Sequence, residues 1–199
     1  MPGTPERTTT ILSHAEADPL SPLYEFYLRS GLPEIGLVVP ESIPEPQRSL
    51  LVHDRDMTPT LEKFHGSPIE LRILKCWWTG DSLMREVVLV LKENGRPVEF
   101  GAIRIDISAI SGEARKVILE NRLPFGTILK EYVIDHMSRP SAFLRVLPDA
   151  VMRQALGLKD SEPLYGRCNS LLDLNGRLLA EVVEILPPFE KHEIGKAAQ

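Results

Sequence analysis

The chain has 199 residues, of which 43% are apolar and 26% charged, and its formal net charge is −5 at pH 7. That composition is ordinary for one folded domain with a sizeable core. An acidic balance without a long basic cluster removes the electrostatic attraction on which nucleic-acid and anionic-membrane binding rest. The longest strongly apolar run, 87–91, is far too short to span a bilayer, and the N-terminus lacks the apolar centre of a signal peptide, so a cytoplasmic protein is expected.

Residues 1–16, rich in Pro, Thr and Ser, read as a disordered segment, and 17–190 as one domain. Leu20, Leu23, Tyr24, Phe26 and Tyr27 predict a short amphipathic helix ending at Gly31. The prolines of 32–47 predict an extended connection. Helix signals follow at 47–53 and 57–65, the second with Thr58 as N-cap, Pro59 at the first helical position and Gly66 as its stop. Strands are predicted at 68–78, 83–92 and 98–107, the last two joined by an Asn94-Gly95 turn. Helices are expected at 112–121, 126–132 and 148–156, with a weaker strand at 133–146. A final hairpin, 164–174 and Leu178–Leu186, turns at Asn175-Gly176, and 191–199 read as a frayed tail. Strands dominate and helices fall on the connections. This predicts an α+β domain with a mostly antiparallel sheet.

Recognisable chemistry is sparse. The glycines form no phosphate loop, the five histidines show no ligand spacing, and neither Ser108 nor Ser170 sits in a nucleophile elbow. No metal site is expected, and Cys76 and Cys168 read as two buried free thiols. What stands out is a set of charged residues inside apolar strands: Arg85, Glu86, Arg104, Arg167, Glu181 and Glu184. Alternation puts Arg85 on one face with Leu83, Val87, Leu89 and Leu91, and Glu86 on the other with Met84, Val88 and Val90. A guanidinium is costly to bury unpaired, so Arg85 requires an anionic partner. Either an internal carboxylate or a carboxylate ligand meets that need.

Four segments resemble the chorismate pyruvate-lyase family, and specifically its divergent cyanobacterial and archaeal-type branch. They are Asp56-Met57-Thr58 with Leu61-Glu62; Leu83-Met84-Arg85-Glu86-Val87-Val88-Leu89; Leu123-Pro124-Phe125-Gly126 with Ile128-Leu129; and Tyr165-Gly166-Arg167 with Glu184-Ile185-Leu186-Pro187. They lie in the family's order and span roughly 50–188. The resemblance implies one antiparallel sheet, helices packed over it and an internal ligand cavity. It implies a cofactor-independent elimination of pyruvate from chorismate to give a hydroxybenzoate, 4-hydroxybenzoate being the expected isomer.

The resemblance also implies roles. Arg85 pairs with the ligand carboxylate, Glu184 accepts from the ligand hydroxyl and assists proton movement, and Met57 and Phe125 line the cavity. The chain departs from the family pattern in carrying Phe125 where Leu is usual. It also has Ala102 where enterobacterial members have an Arg after the glycine. Arg104, two residues on, is the expected substitute in substrate binding. Glu184 rather than Glu181 keeps the family's spacing to Pro187. Two other readings stand beside the enzyme. One is a non-catalytic module that binds a small aromatic carboxylate on the same fold. The other is a structural protein in which Arg85 and Glu184 form a plain salt bridge. Residues 1–50 are too short and proline-rich for a winged-helix DNA-binding domain.

Overall fold

A computed structural model of the protein describes residues 18–27 and 31–189. The segments read as disordered (1–16) and frayed (191–199) lie outside the described residues. In chain order the elements are α1 (Ser21–Tyr27), β1 (Ile35–Val38), α2 (Gln47–Leu51), α3 (Met57–His65), β2 (Ile69–Thr79), β3 (Ser82–Leu91) and β4 (Pro97–Asp106). There follow α4 (Gly112–Leu119), α5 (Phe125–Glu131), β5 (His136–Val146), α6 (Ala150–Leu156), β6 (Leu164–Asp173) and β7 (Leu178–Leu186). The strands form one seven-stranded sheet in the order β1-β5-β6-β7-β4-β3-β2. Every neighbouring pair is antiparallel, and tight turns join β2 to β3, β3 to β4 and β6 to β7.

The two faces of the sheet are covered differently. Met84, Val88, Val90, Phe100, Ala102, Val183 and Ile185 pack against Leu23 and Phe26 of α1 and Met152 and Leu156 of α6. The opposite face is shared by two clusters. At one end Leu83, Ile103, Ile105 and Val182 meet Ile118 of α4 and Phe125, Ile128 and Leu129 of α5. At the other end Leu89, Leu91 and Leu186 meet Leu50 and Leu51 of α2 and Met57 and Leu61 of α3. Apart from Ser82, β3 is buried along its whole length, in keeping with its apolar residues on both faces.

Four local expectations are corrected. The stretch read as an extended connection contains β1, whose four residues pair with β5 at the sheet edge. Helix α3 begins one residue before the predicted cap: Asp56 takes the N-cap position with extended backbone, and Thr58 and Pro59 fall in the first turn. Proline suits that turn because the first N–H groups of a helix have no internal partner. Cys168 is buried but Cys76 is exposed. The register of β2 slips between Ile73 and Lys75. The extra residue there, Leu74, moves Cys76 opposite Arg85 and Lys75 opposite Glu86, and so reverses the faces for the rest of the strand.

Candidate active site

The sheet face under α3 and α5 carries a small grid of residues fixed by register. Across the centre run Val87 of β3, Gly101 of β4, Glu184 of β7 and Arg167 of β6. One step along, the row reads Arg85, Ile103, Val182 and Asn169. One step the other way, Leu89 faces Glu99. Over Gly101 lies a cavity of about 60 Å3, lined by these residues and roofed by Met57, Thr58, Phe125 and Gly126. That volume holds several waters and is smaller than the roughly 150 Å3 that admits benzene in an apolar site.

Two glycines make this space. A Cβ at position 101 would lie 3.0 Å from Val87 Cγ2 and 3.3 Å from Glu99 Oε1, so a side chain there would fill the floor. A Cβ at position 126 would lie 3.1 Å from Thr58 Oγ1, so Gly126 lets α5 close against α3 over the roof.

Arg85 is 1% exposed and makes no ion pair among the described residues. One Nη2 hydrogen bond goes to the carbonyl of Ile118 in the last turn of α4, and its Nε has no partner. The negative end of the helix dipole compensates part of the charge, but a carbonyl is not a counter-ion. Burial pulls the guanidinium down to about 10 from its ordinary 12.5.

Glu184, 6% exposed, is paired instead with Arg167, whose Nε donates to its Oε2 at 2.5 Å. Arg167 is fully buried, and its other nitrogens donate to the carbonyls of Leu51 (3.3 Å), His53 (2.8 Å) and Arg55 (3.0 Å) and to His53 Nδ1 (3.2 Å). The guanidinium thus ties the segment between α2 and α3 to the sheet and fixes the Glu184 carboxylate at the cavity wall.

A third buried charge-bearing group completes the site. Glu99, 4% exposed, lines the same cavity, and its Oε2 has no hydrogen-bond partner. Burial, reinforced by the nearby Glu184 carboxylate and only partly opposed by Arg167, pushes its carboxyl well above the usual range. Two carboxylates close together in a buried site cannot both ionise cheaply. The raised carboxyl of Glu99 favours its protonated form, beside a Glu184 that is paired with Arg167.

The structure brings together four of the five residues expected at the site: Met57, Arg85, Phe125 and Glu184. Arg104 is the exception and is corrected. It shares a face with Ala102 rather than Gly101, points away from the cavity and pairs with Glu181. Glu86 also lies on the far face, where Lys75 pairs with it at 2.9 Å. Sequence reasoning missed Glu99 and left Arg167 without a role. The signal for Glu99 was available: it alternates in phase with Gly101 and Ile103 inside an apolar strand.

Asp56, at the rim, accepts from His136 Nε2 at 2.9 Å, and His136 Nδ1 lies 2.7 Å from the Ile134 carbonyl. This pair ties the start of α3 to the start of β5.

No protein-family model and no curated protein sequence matches the chain. Solved structures do. The crystal structure of PhnF from Mycobacterium smegmatis aligns over 68% of this chain and 65% of that chain, with a TM-score of 0.50 and 14% identity. The effector domain of PhnF aligns over 66% and 87%, again with a TM-score of 0.50 and 14% identity. The ligand-binding domain of a GntR-family transcriptional regulator from Bordetella bronchiseptica, so described provisionally, aligns over 60% and 85%, with a TM-score of 0.46 and 14% identity. At such identities the likeness is one of fold. The fold is the chorismate lyase-like one: a single antiparallel sheet with helices packed over it.

Proposed function

We propose that the cavity binds a small ring carboxylic acid bearing a hydroxyl at its far end, and that the protein is a chorismate pyruvate-lyase forming a hydroxybenzoate. The observation that carries this reading is Arg85, a buried cation facing a cavity and without an ion pair among the described residues. A bidentate ligand carboxylate supplies the missing partner. Glu184 lies two strand spacings (roughly 10 Å) across the sheet from Arg85, and Glu99 lies on the intervening strand, displaced along it to the same end as Glu184. That span suits a six-membered ring with a carboxylate at one end and a hydroxyl at the other.

The chemistry is a redox-neutral elimination. The ring proton on the carbon bearing the hydroxyl leaves, and the ether bond to the enolpyruvyl group breaks with its electron pair on oxygen. The ring becomes aromatic, and the enolpyruvate takes up one proton to give pyruvate. The site's part is to hold the carboxylate on Arg85, orient the hydroxyl against Glu184 and keep water out. Glu184, lining the cavity and paired with Arg167, is the proposed proton acceptor. Entry of a ring larger than the empty cavity requires Met57 and Phe125 to move outward.

The test is incubation with chorismate, following pyruvate and identifying the aromatic product. Equimolar pyruvate and hydroxybenzoate from the wild type, and none from Arg85→Ala, are expected. A second reading is favoured by the neighbours whose structures are described as an effector domain and a ligand-binding domain. In it the same cavity binds the acid without turnover. Its signature is a raised melting temperature with 4-hydroxybenzoate and no pyruvate from chorismate. The salt-bridge reading of Arg85 with Glu184 is dropped, since Glu184 is paired with Arg167.

A further inference from the structure

Glu99 has no place in the family resemblance, yet it is the most costly group in the cavity. Its carboxyl is buried, one oxygen makes no hydrogen bond, and it lies over Gly101 beside Glu184. The guanidinium of Arg167 bonds instead to Glu184 and to the 51–55 segment. A buried polar atom without a partner is a cost that folds rarely carry. At the Glu184 end of the site it has a use. Along β4, Ile103 faces Arg85 and Glu99 lies four residues away, roughly 13 Å, so Arg85 and Glu99 mark opposite ends of the cavity.

We propose that Glu99 is the hydrogen-bond donor for the oxygen at the far end of the ligand, and thereby the residue that selects a hydroxy acid over its analogues. The inference rests on the cavity reading above and deepens it. With Glu184 as acceptor and Glu99 as donor, the far-end atom of the ligand must both give and take a hydrogen bond. A hydroxyl does both. An aromatic amine donates but accepts poorly, and a bare ring edge does neither and leaves the Glu99 carboxyl without a partner. A site built to hydrogen-bond a hydroxyl rejects ligands that lack it far more strongly than an apolar site rejects a missing methylene.

The experiment titrates 4-hydroxybenzoate, 4-aminobenzoate and benzoate against the full chain as wild type, Glu99→Gln and Glu99→Leu, by calorimetry. The wild type should prefer 4-hydroxybenzoate to each analogue by about tenfold or more, the effect of one well-made hydrogen bond. Glu99→Gln keeps an N–H donor of the same reach and should keep most of that preference. Glu99→Leu removes the donor and should bring 4-hydroxybenzoate and benzoate to within roughly threefold of each other. Folding is not at risk in this variant, because leucine removes a buried polar atom that had no partner.

A Glu99→Leu protein that retains the wild-type order of affinities overturns the inference and leaves the cavity reading intact. So does a wild type that binds 4-aminobenzoate as tightly as 4-hydroxybenzoate. A wild type that binds none of the three overturns the cavity reading and the inference with it.

Discussion

Arg85 and Arg167 are both buried on one face of the same sheet, and they differ in what surrounds them. Arg167 has a carboxylate and three carbonyls, while Arg85 has one helix-end carbonyl and an unbonded Nε. Breaking a buried pair leaves a charge stranded, whereas removing a lone buried charge relieves a cost. Arg85→Met should therefore leave the ligand-free protein as stable as wild type or about 1 kcal/mol more so. It should also abolish the thermal shift that 4-hydroxybenzoate produces; urea denaturation with and without the acid reads both effects. The two glutamates of β7 separate just as cleanly. Glu184 faces the cavity and Glu181 faces away, paired with the half-exposed Arg104. Glu184→Gln should lose most pyruvate release from chorismate, and Glu181→Gln should keep most of it. Strand alternation made Arg85 and Glu184 legible as residues of interest, and the family resemblance put Met57 and Phe125 beside them. Arg104 went astray because it was chosen for sharing a strand face with Ala102, and that face lies opposite the cavity, where Arg104 pairs with Glu181. Glu99 escaped notice because it follows the Asn94-Gly95 turn closely, where a charged residue reads as a strand end reaching water.

At the scale of elements, the cavity is roofed by α3 and α5, and two histidines hold the approach to that roof with opposite dependence on pH. Burial disfavours the His136 imidazolium, but the Ile134 carbonyl and the Asp56 carboxylate outweigh it, so its pKa is raised. Its contribution is complete below the unfolded value near 6.5 and is lost as pH rises through the raised folded value. His53 is pulled down to about 4 by burial and by the charges of Arg167 and Arg55. Its contribution is present above about 6.5 and is lost as pH falls from there through the folded value of about 4. The stability difference between wild type and His136→Gln should thus shrink from pH 6 upward, and that between wild type and His53→Gln should shrink from pH 6.5 downward. Melting temperatures across pH 4–9 check both. The helices α2 to α6 were legible from their apolar spacing, and α3 and α6 also from the glycines that stop them. Strand β1 was not, because four residues among prolines carry no periodicity of their own and become a strand only by pairing with β5. The slip at Leu74 was equally hidden: Ile69, Leu71, Ile73 and Leu74 are all apolar, so only the partner strand reveals where the phase changes.

For the whole molecule, the antiparallel sheet and its hairpins followed from turn residues and alternation. The strand order did not, since the pairing of β4 with β7 joins elements more than seventy residues apart and rests on core packing rather than local signals. That long-range join is what sets Arg85 and Glu184 on either side of Gly101, and so the site exists only in the assembled sheet. The clamp made by Arg167 then acquires a second meaning. Its Nε holds the carboxylate that a ligand hydroxyl would engage, while its other nitrogens hold the carbonyls of Leu51, His53 and Arg55, in a segment where Val52, Asp54 and Arg55 are exposed. A ligand bound as proposed would therefore reach an outer segment through a single side chain. Backbone amides of 52–56 should exchange with deuterium more slowly when 4-hydroxybenzoate is bound, and Arg167→Lys should uncouple that protection from binding.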